Sequence, residues 1–416
     1  MLTTYTSQLA PYILGRERRM TNEDVIKVSQ EVLAQTYGRF PVVLVRGEGC
    51  KVWDVEGKEY LDFVAGIGVC NLGHCHPKVV QAIRDQAGKL LHVSNLYHIE
   101  PQVQLAQLLV KHSFAHRVFF CNSGTEANEA AIKLARKYSQ DHFGPGRYEI
   151  ISLLKSFHGR TLGALAATGQ EKFHKGFEPM MPGFKFVPQG DLAAMEATVS
   201  GATCAILVEP IQAEGGVNLP AEDYLKGLRR LCDQKKLLLI YDEVQVGMGR
   251  TGKLFAYEHY GVPPDILTMA KGLAGGVPIG ATLAKEEVAQ SFTPGSHAAT
   301  FGGNPLSTAA GLAALRATIE DGILENCQRS SAHFMNRLEG LKKKYSFVKE
   351  VRGKGLMIGL ELDREGKGVV MDCLKRGFLI NCTNETVLRF IPPLIIKPPE
   401  IDGLVQALDE IFSNWS

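Results

Sequence analysis

The chain has 416 residues, enough for two or three domains or for one large α/β domain with a satellite. Hydrophobic residues make up 45% and charged residues 22%, the balance of a soluble globular enzyme rather than of a disordered or fibrous chain. The net charge is only +2 and no apolar run approaches the ~20 residues of a membrane span, so neither nucleic acid nor a membrane is the expected partner.

The first 19 residues lack the apolar core of a secretory leader, and either Met1 or Met20 can serve as the start. Asn22 is placed to cap a helix over 22–36 that carries acids in its first turn. Nine cysteines without a CxxC pair read as reduced thiols of a cytoplasmic protein. Residues 41–64 hold two β runs around Glu56-Gly57-Lys58, a hairpin. After the Gly66-Ile67-Gly68 loop comes Asn71-Leu72-Gly73-His74-Cys75-His76-Pro77. Two histidines and a cysteine suggest zinc, but near-adjacent residues rarely converge on one ion and no second ligand pair follows. The expectation is therefore no metal, and a tight loop before a helix that Pro77 begins.

From residue 116 onward β runs alternate with helical patterns. The runs are 117–121, 148–154, 184–188, 203–208, 237–241, 265–270 and 280–284; the helices are 125–141, 222–235 and 305–320. That alternation predicts an α/β fold with a large, mostly parallel seven-stranded sheet whose ligands sit beyond strand carboxyl ends. After about 320 a smaller α+β unit follows: a helix near 324–344, strands at 347–351 and 356–362, and a final helix at 399–413. The expected division is 1–64 (an N-terminal segment packing with the small unit), 65–320 and 321–416.

The run Leu237–Tyr241 ends in Asp242-Glu243, and the run 266–270 ends in Lys271, followed by Gly272 and Gly275-Gly276. Singly, such an acid is more often a turn or cap residue and such a lysine a solvated one. Together at the ends of neighbouring buried strands they supply what a pyridoxal phosphate enzyme needs. One is an amine to bond the cofactor; the other is an acid to pair with its ring nitrogen. Ser123-Gly124-Thr125 joins a buried strand to a strong helix former, where free amides and hydroxyls would converge on a phosphate or simply cap the helix. Phe157 could stack on a planar ring, and Arg160 offers a fork for a carboxylate. Glu214 ends another strand, and Arg389 lies in an apolar context where an unpaired guanidinium is costly. An ion pair between them, functional or structural, reconciles both. Gly247-Met248-Gly249-Arg250-Thr251-Gly252 matches a dinucleotide fingerprint letter for letter. It lacks the immediate strand-to-helix context, so a nicotinamide site is rejected.

Jointly, TYGRFPVVLVRGEGCKVWD, NLGHCHP, FCNSGTEANEAA, SFHGRT, DEVQVGMGRTGKLFAYEHYGVPPDI, AKGLAGGVPIG, TFGGNP and LRFIPPLII resemble the fold-type I, class III (ω-) aminotransferases from about Thr36 to the C-terminus. The resemblance implies pyridoxal 5'-phosphate as cofactor and a homodimer with a shared active site. Lys271 would bond the cofactor covalently, Asp242 its ring nitrogen and Gln245 its phenolic oxygen. Ser123, Gly124 and Thr125 would hold the phosphate, with Thr300 arriving from the neighbouring subunit, and Phe157 would stack on the ring. Arg160, with Tyr37 near it, would take the α-carboxylate of an acylated amino acid. Glu214 would cover Arg389 while an ω-amine is bound and release it for the carboxylate of glutamate or 2-oxoglutarate.

LRFIPPLII and SHAATFGGNP look most like the acetylornithine group. The implied reaction is transfer of the terminal amine of N2-acetylornithine to 2-oxoglutarate. Ile67 stands where ornithine-specific members carry a tyrosine, which suits a substrate without a free α-amine. Two departures stand out. Ala213 replaces a usual glycine, and Ala299 lacks the hydroxyl often preceding Thr300, leaving at most a backbone contact to substrate. Alternatives are another ω-amine (succinylornithine, an acyl-lysine, ornithine or 4-aminobutyrate), a mutase or racemase on the same scaffold, and a non-enzymatic cofactor-binding regulator.

Overall fold

The structure is a computed structural model that describes residues 20–415; residues 1–19, and with them the choice between Met1 and Met20, lie outside the described residues. In chain order the strands are β1 (Leu44–Glu48), β2 (Lys51–Asp54), β3 (Glu59–Asp62), β4 (Arg117–Cys121), β5 (Glu149–Leu153), β6 (Phe184–Val187), β7 (Thr203–Val208) and β8 (Leu238–Asp242). They continue as β9 (Ile266–Met269), β10 (Gly280–Ala284), β11 (Val348–Lys354), β12 (Met357–Leu362), β13 (Phe378–Leu379), β14 (Asn381–Thr383) and β15 (Val387–Phe390).

The large sheet has seven strands in the order β4-β10-β9-β8-β7-β5-β6. Only β10 runs against its neighbours. Every residue of β7 and β8 is buried, which explains their unbroken apolar runs: a parallel strand covered on both faces has no polar side to alternate with. Successive residues still point to opposite faces. Ile150, Ala205, Leu207, Leu238 and Ile240 pack with Ala131, Ile132 and Ala135 of the helix Gly124–Phe143. Ile151, Ile206, Val208, Leu239 and Tyr241 join the other core with Leu228 and Leu231 of the helix Tyr224–Lys235 and Leu315 of the helix Pro305–Glu320.

The carboxyl-terminal unit is an antiparallel sheet, β11-β12-β15-β14, against the helices Ile323–Lys344 and Pro398–Ser413. The N-terminal strands form a separate four-stranded sheet, β1-β2-β3-β13, whose last strand comes from the carboxyl-terminal segment. β13 lies parallel to β3 through Phe378↔Leu61 and Leu379↔Asp62, and Phe63 packs edge-on against Phe334, ring centroids 5.7 Å apart.

Local differences from expectation have simple causes. Thr21, not Asn22, caps the first helix: its hydroxyl accepts from Asp24 N while Asp24 Oδ2 accepts from Thr21 N, a reciprocal capping box. Asn22 instead accepts from Val43 N at 2.8 Å. That helix stops at Val32 because Gln35 folds back onto its last carbonyls. The expected hairpin contains three strands, since Gly49, at φ +58°, closes a tight turn between β1 and β2.

The glycine-rich stretch after β8 forms turns with no helix start, and it buries Arg250 completely. Arg250 Nη1 donates to the carbonyls of Leu356 (3.0 Å) and Pro392 (2.6 Å), and Nη2 to Asn71 Oδ1 (2.6 Å). Asn71 Nδ2 in turn donates to Met248 O at 2.9 Å. These partners come from the N-terminal loop, the large sheet's loop and the carboxyl-terminal unit, so one side chain ties all three. None is a carboxylate, and burial pulls the guanidinium down to about 10. Arg250→Met should lower the unfolding free energy by about 3 kcal/mol, since three buried acceptors lose their donor; the shift in the denaturant midpoint measures it.

Candidate active site

With β10 alone reversed, the carboxyl ends of β4, β5, β7, β8 and β9 open on one side of the sheet. The segments that follow line a single cavity of about 610 Å³, within the usual range for a small-molecule site. Asn122–Thr125 come from the end of β4, Phe157–Arg160 from β5, Glu209 and Ile211 from β7, Asp242 and Gln245 from β8, and Lys271 from β9; Tyr37 closes one edge.

Asp242 sits at the floor, almost fully buried. Its Oδ2 accepts from Asn128 Nδ2 at 2.7 Å and His158 Nδ1 at 2.8 Å, and its Oδ1 from Val244 N at 3.0 Å. Facing a carboxylate, His158 Nδ1 donates, and Nε2 on the far side of the ring hydrogen-bonds Ser152 Oγ at 3.2 Å. Asn128 is held from below by Thr268 Oγ1 and also donates to the His158 carbonyl. The carboxylate is thus oriented by a chain of buried partners. Glu243, next along the strand, points away: it accepts from Ala256 N (2.6 Å) and Tyr257 N (2.7 Å), and burial raises its pKa to about 8. The period-two geometry separates the site acid from the structural one.

Lys271 follows β9, whose Thr268 pairs with Asp242. Its backbone has φ +42°, a strained value for a residue with a Cβ. Its amine makes no hydrogen bond or ion pair among the described residues. Burial lowers its pKa to about 8; Glu214 opposes that shift and Arg389 reinforces it. An amine with that pKa is far more nucleophilic near neutrality than a solvated lysine.

At the start of the Gly124–Phe143 helix, Ser123 Oγ accepts from Glu126 N at 3.3 Å and donates to Glu126 Oε2 at 3.0 Å. Thr125 Oγ1 accepts from the amides of Arg160 and Thr161, both at 3.2 Å. Both hydroxyls therefore brace loops. The Gly124 and Thr125 amides have no acceptor among the described residues and stand at the positive end of a 20-residue helix, suited to an anion. A Cβ on Gly124 would lie 2.7 Å from Val244 Cγ1, so only glycine fits there.

The expected Glu214–Arg389 pair is present, Nη1 to Oε1 at 2.7 Å. The same Nη1 donates to Gln245 Oε1 (3.0 Å) and Ala213 O (3.3 Å), and Asn381, its amide oxygen turned to the guanidinium, accepts from Nη2 at 2.7 Å. Gln245 Nε2 donates to Glu214 Oε1 at 3.1 Å, so its amide bridges the pair. Burial alone would raise the Glu214 carboxyl; the Arg389 and Lys271 charges overcome it and hold it at about 2. Thr383 Oγ1 hydrogen-bonds the Glu214 main-chain carbonyl.

Thr300 and Ala299 do not reach this cavity. They line a separate cleft with Leu96 and Phe119, and Asn95 Nδ2 donates to Ala299 O at 3.3 Å. Ile67 lies on the left-handed turn Ala65–Gly68, exposed and outside the cavity lining. The sequence reading assigned no role to Asn128, His158 or Glu209. Glu209 accepts from Phe157 N (3.0 Å) and Ala213 N (3.3 Å), and burial pushes its pKa well above the usual carboxylate range. A signal existed for Asn128: it is the one polar residue among Ala127, Ala130 and Ala131 on a buried helix face.

This fold and this convergence of groups define a transaminating enzyme. The aminotransferase class-III family pattern matches residues 32–412, and the chain belongs to that family. It is 54% identical over 399 residues to an acetylornithine aminotransferase of Methanocaldococcus jannaschii, covering 95% of this chain and 99% of that one. Among solved structures it is similar to the ornithine aminotransferase of Toxoplasma gondii (TM-score 0.92, 35% identity, 95% and 96% of the two chains). It is also similar to the N-acetylornithine aminotransferase of Stenotrophomonas maltophilia (0.80, 38%, 94% and 100%).

Glu214→Gln should cost about 2 kcal/mol of stability, because a buried guanidinium loses its counter-charge. A carboxyl held at about 2 against an ordinary 4.5 contributes fully above pH 4.5 and loses that contribution as pH falls towards 2. Unfolding midpoints of the two proteins should therefore converge across that window in acid titration.

Proposed function

We propose that this enzyme uses pyridoxal 5'-phosphate to transfer the terminal amine of N2-acetylornithine to 2-oxoglutarate. The products would be N-acetylglutamate 5-semialdehyde and glutamate, a reaction of arginine biosynthesis. The observation that carries the reading is Lys271 opening on the same cavity as Asp242 and Gln245, whose amide bonds both members of the Glu214–Arg389 pair. The names of relatives at 46–55% identity support the choice of amine donor.

The residues fit the cofactor by their chemistry. An unpaired amine suits its aldehyde, two free amides at a helix start suit its phosphate, an oriented carboxylate suits its ring nitrogen, and Phe157 offers an aromatic face. When bound, pyridoxal phosphate supplies an electron sink for the pair left behind when a proton departs the amine-bearing carbon. Lys271 would hold it covalently and, displaced by the incoming amine, would take the proton from the substrate's Cδ and return it as the acid. Asp242, oriented by His158 and Asn128, would hold the ring nitrogen's proton. Gln245 would reach the ring's phenolic oxygen, and Arg160, with Tyr37 near it, the substrate's α-carboxylate. Ala299 would offer a main-chain contact.

Glu214 would mask Arg389 while Cδ, which bears no carboxylate, occupies the reacting position. It would turn aside when glutamate or 2-oxoglutarate brings a carboxylate there.

The proposal includes a homodimer with Thr300 reaching the partner's cofactor site. Its support is the exposed apolar surface around that residue, with Leu96 83%, Tyr97 68% and Phe301 61% exposed. A monomeric mass in solution would remove this part. The division 1–64, 65–320 and 321–416 belongs to the same proposal and is supported by the β3–β13 pairing.

In half-reaction kinetics, Lys271→Ala should abolish turnover and leave no borohydride-trappable adduct. Arg389→Ala should slow the glutamate half-reaction by about 100-fold or more, a loss of ~3 kcal/mol, and the acetylornithine half-reaction far less. Equal losses in the two halves would reject the exchange of partners at Arg389.

A further inference from the structure

Arg160 enters the cavity in an unusual state for an arginine. Its guanidinium has no carboxylate and no hydrogen-bond acceptor among the described residues. Its contacts are two aromatic rings: its Cζ lies 4.1 Å from the centroid of Phe173 and 5.7 Å from that of Phe157. Phe173 lies in the short turn Glu171–Phe173, which nothing in the chain's motifs singled out. The turn is stapled to the end of β5, because Gln170 Nε2 donates to the carbonyls of Lys155 (3.3 Å) and Ser156 (3.1 Å), immediately before Phe157. The two rings then meet edge to face, centroids 5.8 Å apart and planes at 80°. Lys172 adds a second cation 5.1 Å from the Phe173 ring.

We propose that Phe173 is a specificity-determining positioning residue: it holds the Arg160 guanidinium by its face, ready for the substrate's carboxylate. The inference rests on the reading of Arg160 given above. An acidic partner would fix Arg160 equally well but would consume the N–H fork that a substrate carboxylate needs. A ring attracts the cation through its π face and occupies no donor. It also restrains a long, rotamer-rich side chain before binding, so less freedom is lost when the carboxylate arrives. Phe157 is thereby shared between the cofactor ring and the Arg160 shelf, which links the two ends of the substrate.

The test compares N-acetylornithine with N-acetylputrescine, the same amine donor without its carboxylate, on the cofactor-loaded enzyme. Phe173→Leu should raise KM for N-acetylornithine about three- to tenfold with kcat nearly unchanged, leave N-acetylputrescine kinetics unaltered, and be rescued by Phe173→Tyr. Calorimetric binding of N-acetylnorvaline, which keeps the carboxylate and lacks the amine, should weaken by the same factor. Equal losses on both donors, or no change in either measurement, would overturn the inference. Arg160→Lys separates the two levels. A large loss on N-acetylornithine there beside an unchanged Phe173→Leu overturns only the role of Phe173; no loss overturns the assignment of Arg160 and the inference together.

Discussion

A guanidinium taken out of water has to be answered by acceptors, and this chain answers it twice in opposite ways. The two terminal nitrogens of Arg250 are answered by two main-chain carbonyls and one amide oxygen, all neutral, and the result is a rivet between three parts of the chain. Arg389 keeps a similar neutral set in Ala213 O, Gln245 Oε1 and Asn381, and adds one carboxylate, Glu214, on a side chain that still touches solvent. The neutral partners keep the arginine in place, while the charged one is the partner proposed to give way to a substrate's carboxylate. The desolvation that would make an isolated Arg389 ruinous is what makes an incoming carboxylate welcome.

The rest of the site is rigid by construction. Asp242 is oriented by His158 and Asn128, each bonded in turn to a hydroxyl from another strand of the same sheet: Ser152 on β5 and Thr268 on β9. Its position is therefore a property of the sheet rather than of a loop. Lys271 contributes the opposite ingredient, a strained backbone and an amine short of partners, so that local stability is given up where reactivity is needed.

Much of this was readable in the amino-acid order. β4, β7 and β10 have the bounds that their apolar runs predict, and for β7 and β10, buried along their whole length, the pattern leaves no ambiguity of period. The Glu214–Arg389 pair could be anticipated because an arginine between Leu388 and Phe390 has few ways to be satisfied. What was hidden lies in contacts between distant segments. Thr21 displaces Asn22 as cap because Asn22 is taken by Val43. Phe173 matters only because Gln170 folds its turn against β5. His158 was in view within SFHGRT, yet its bond to a residue 84 positions away has no signature in one strand's pattern. Ser123 and Thr125 show a further limit: their hydroxyls brace neighbouring loops, and the amides between them remain open to an anion.

The hydroxyl of Thr383 grips the main chain of Glu214, and Arg389 grips the carbonyl just before it. With its backbone pinned on both sides, that carboxylate can change partner only by turning about its own χ bonds. Such rotations are completed in picoseconds to nanoseconds, many orders of magnitude faster than a loop or domain can rearrange. On the proposed exchange at Arg389, two dissimilar reactants would alternate in one chamber without the chamber having to open and re-form between them.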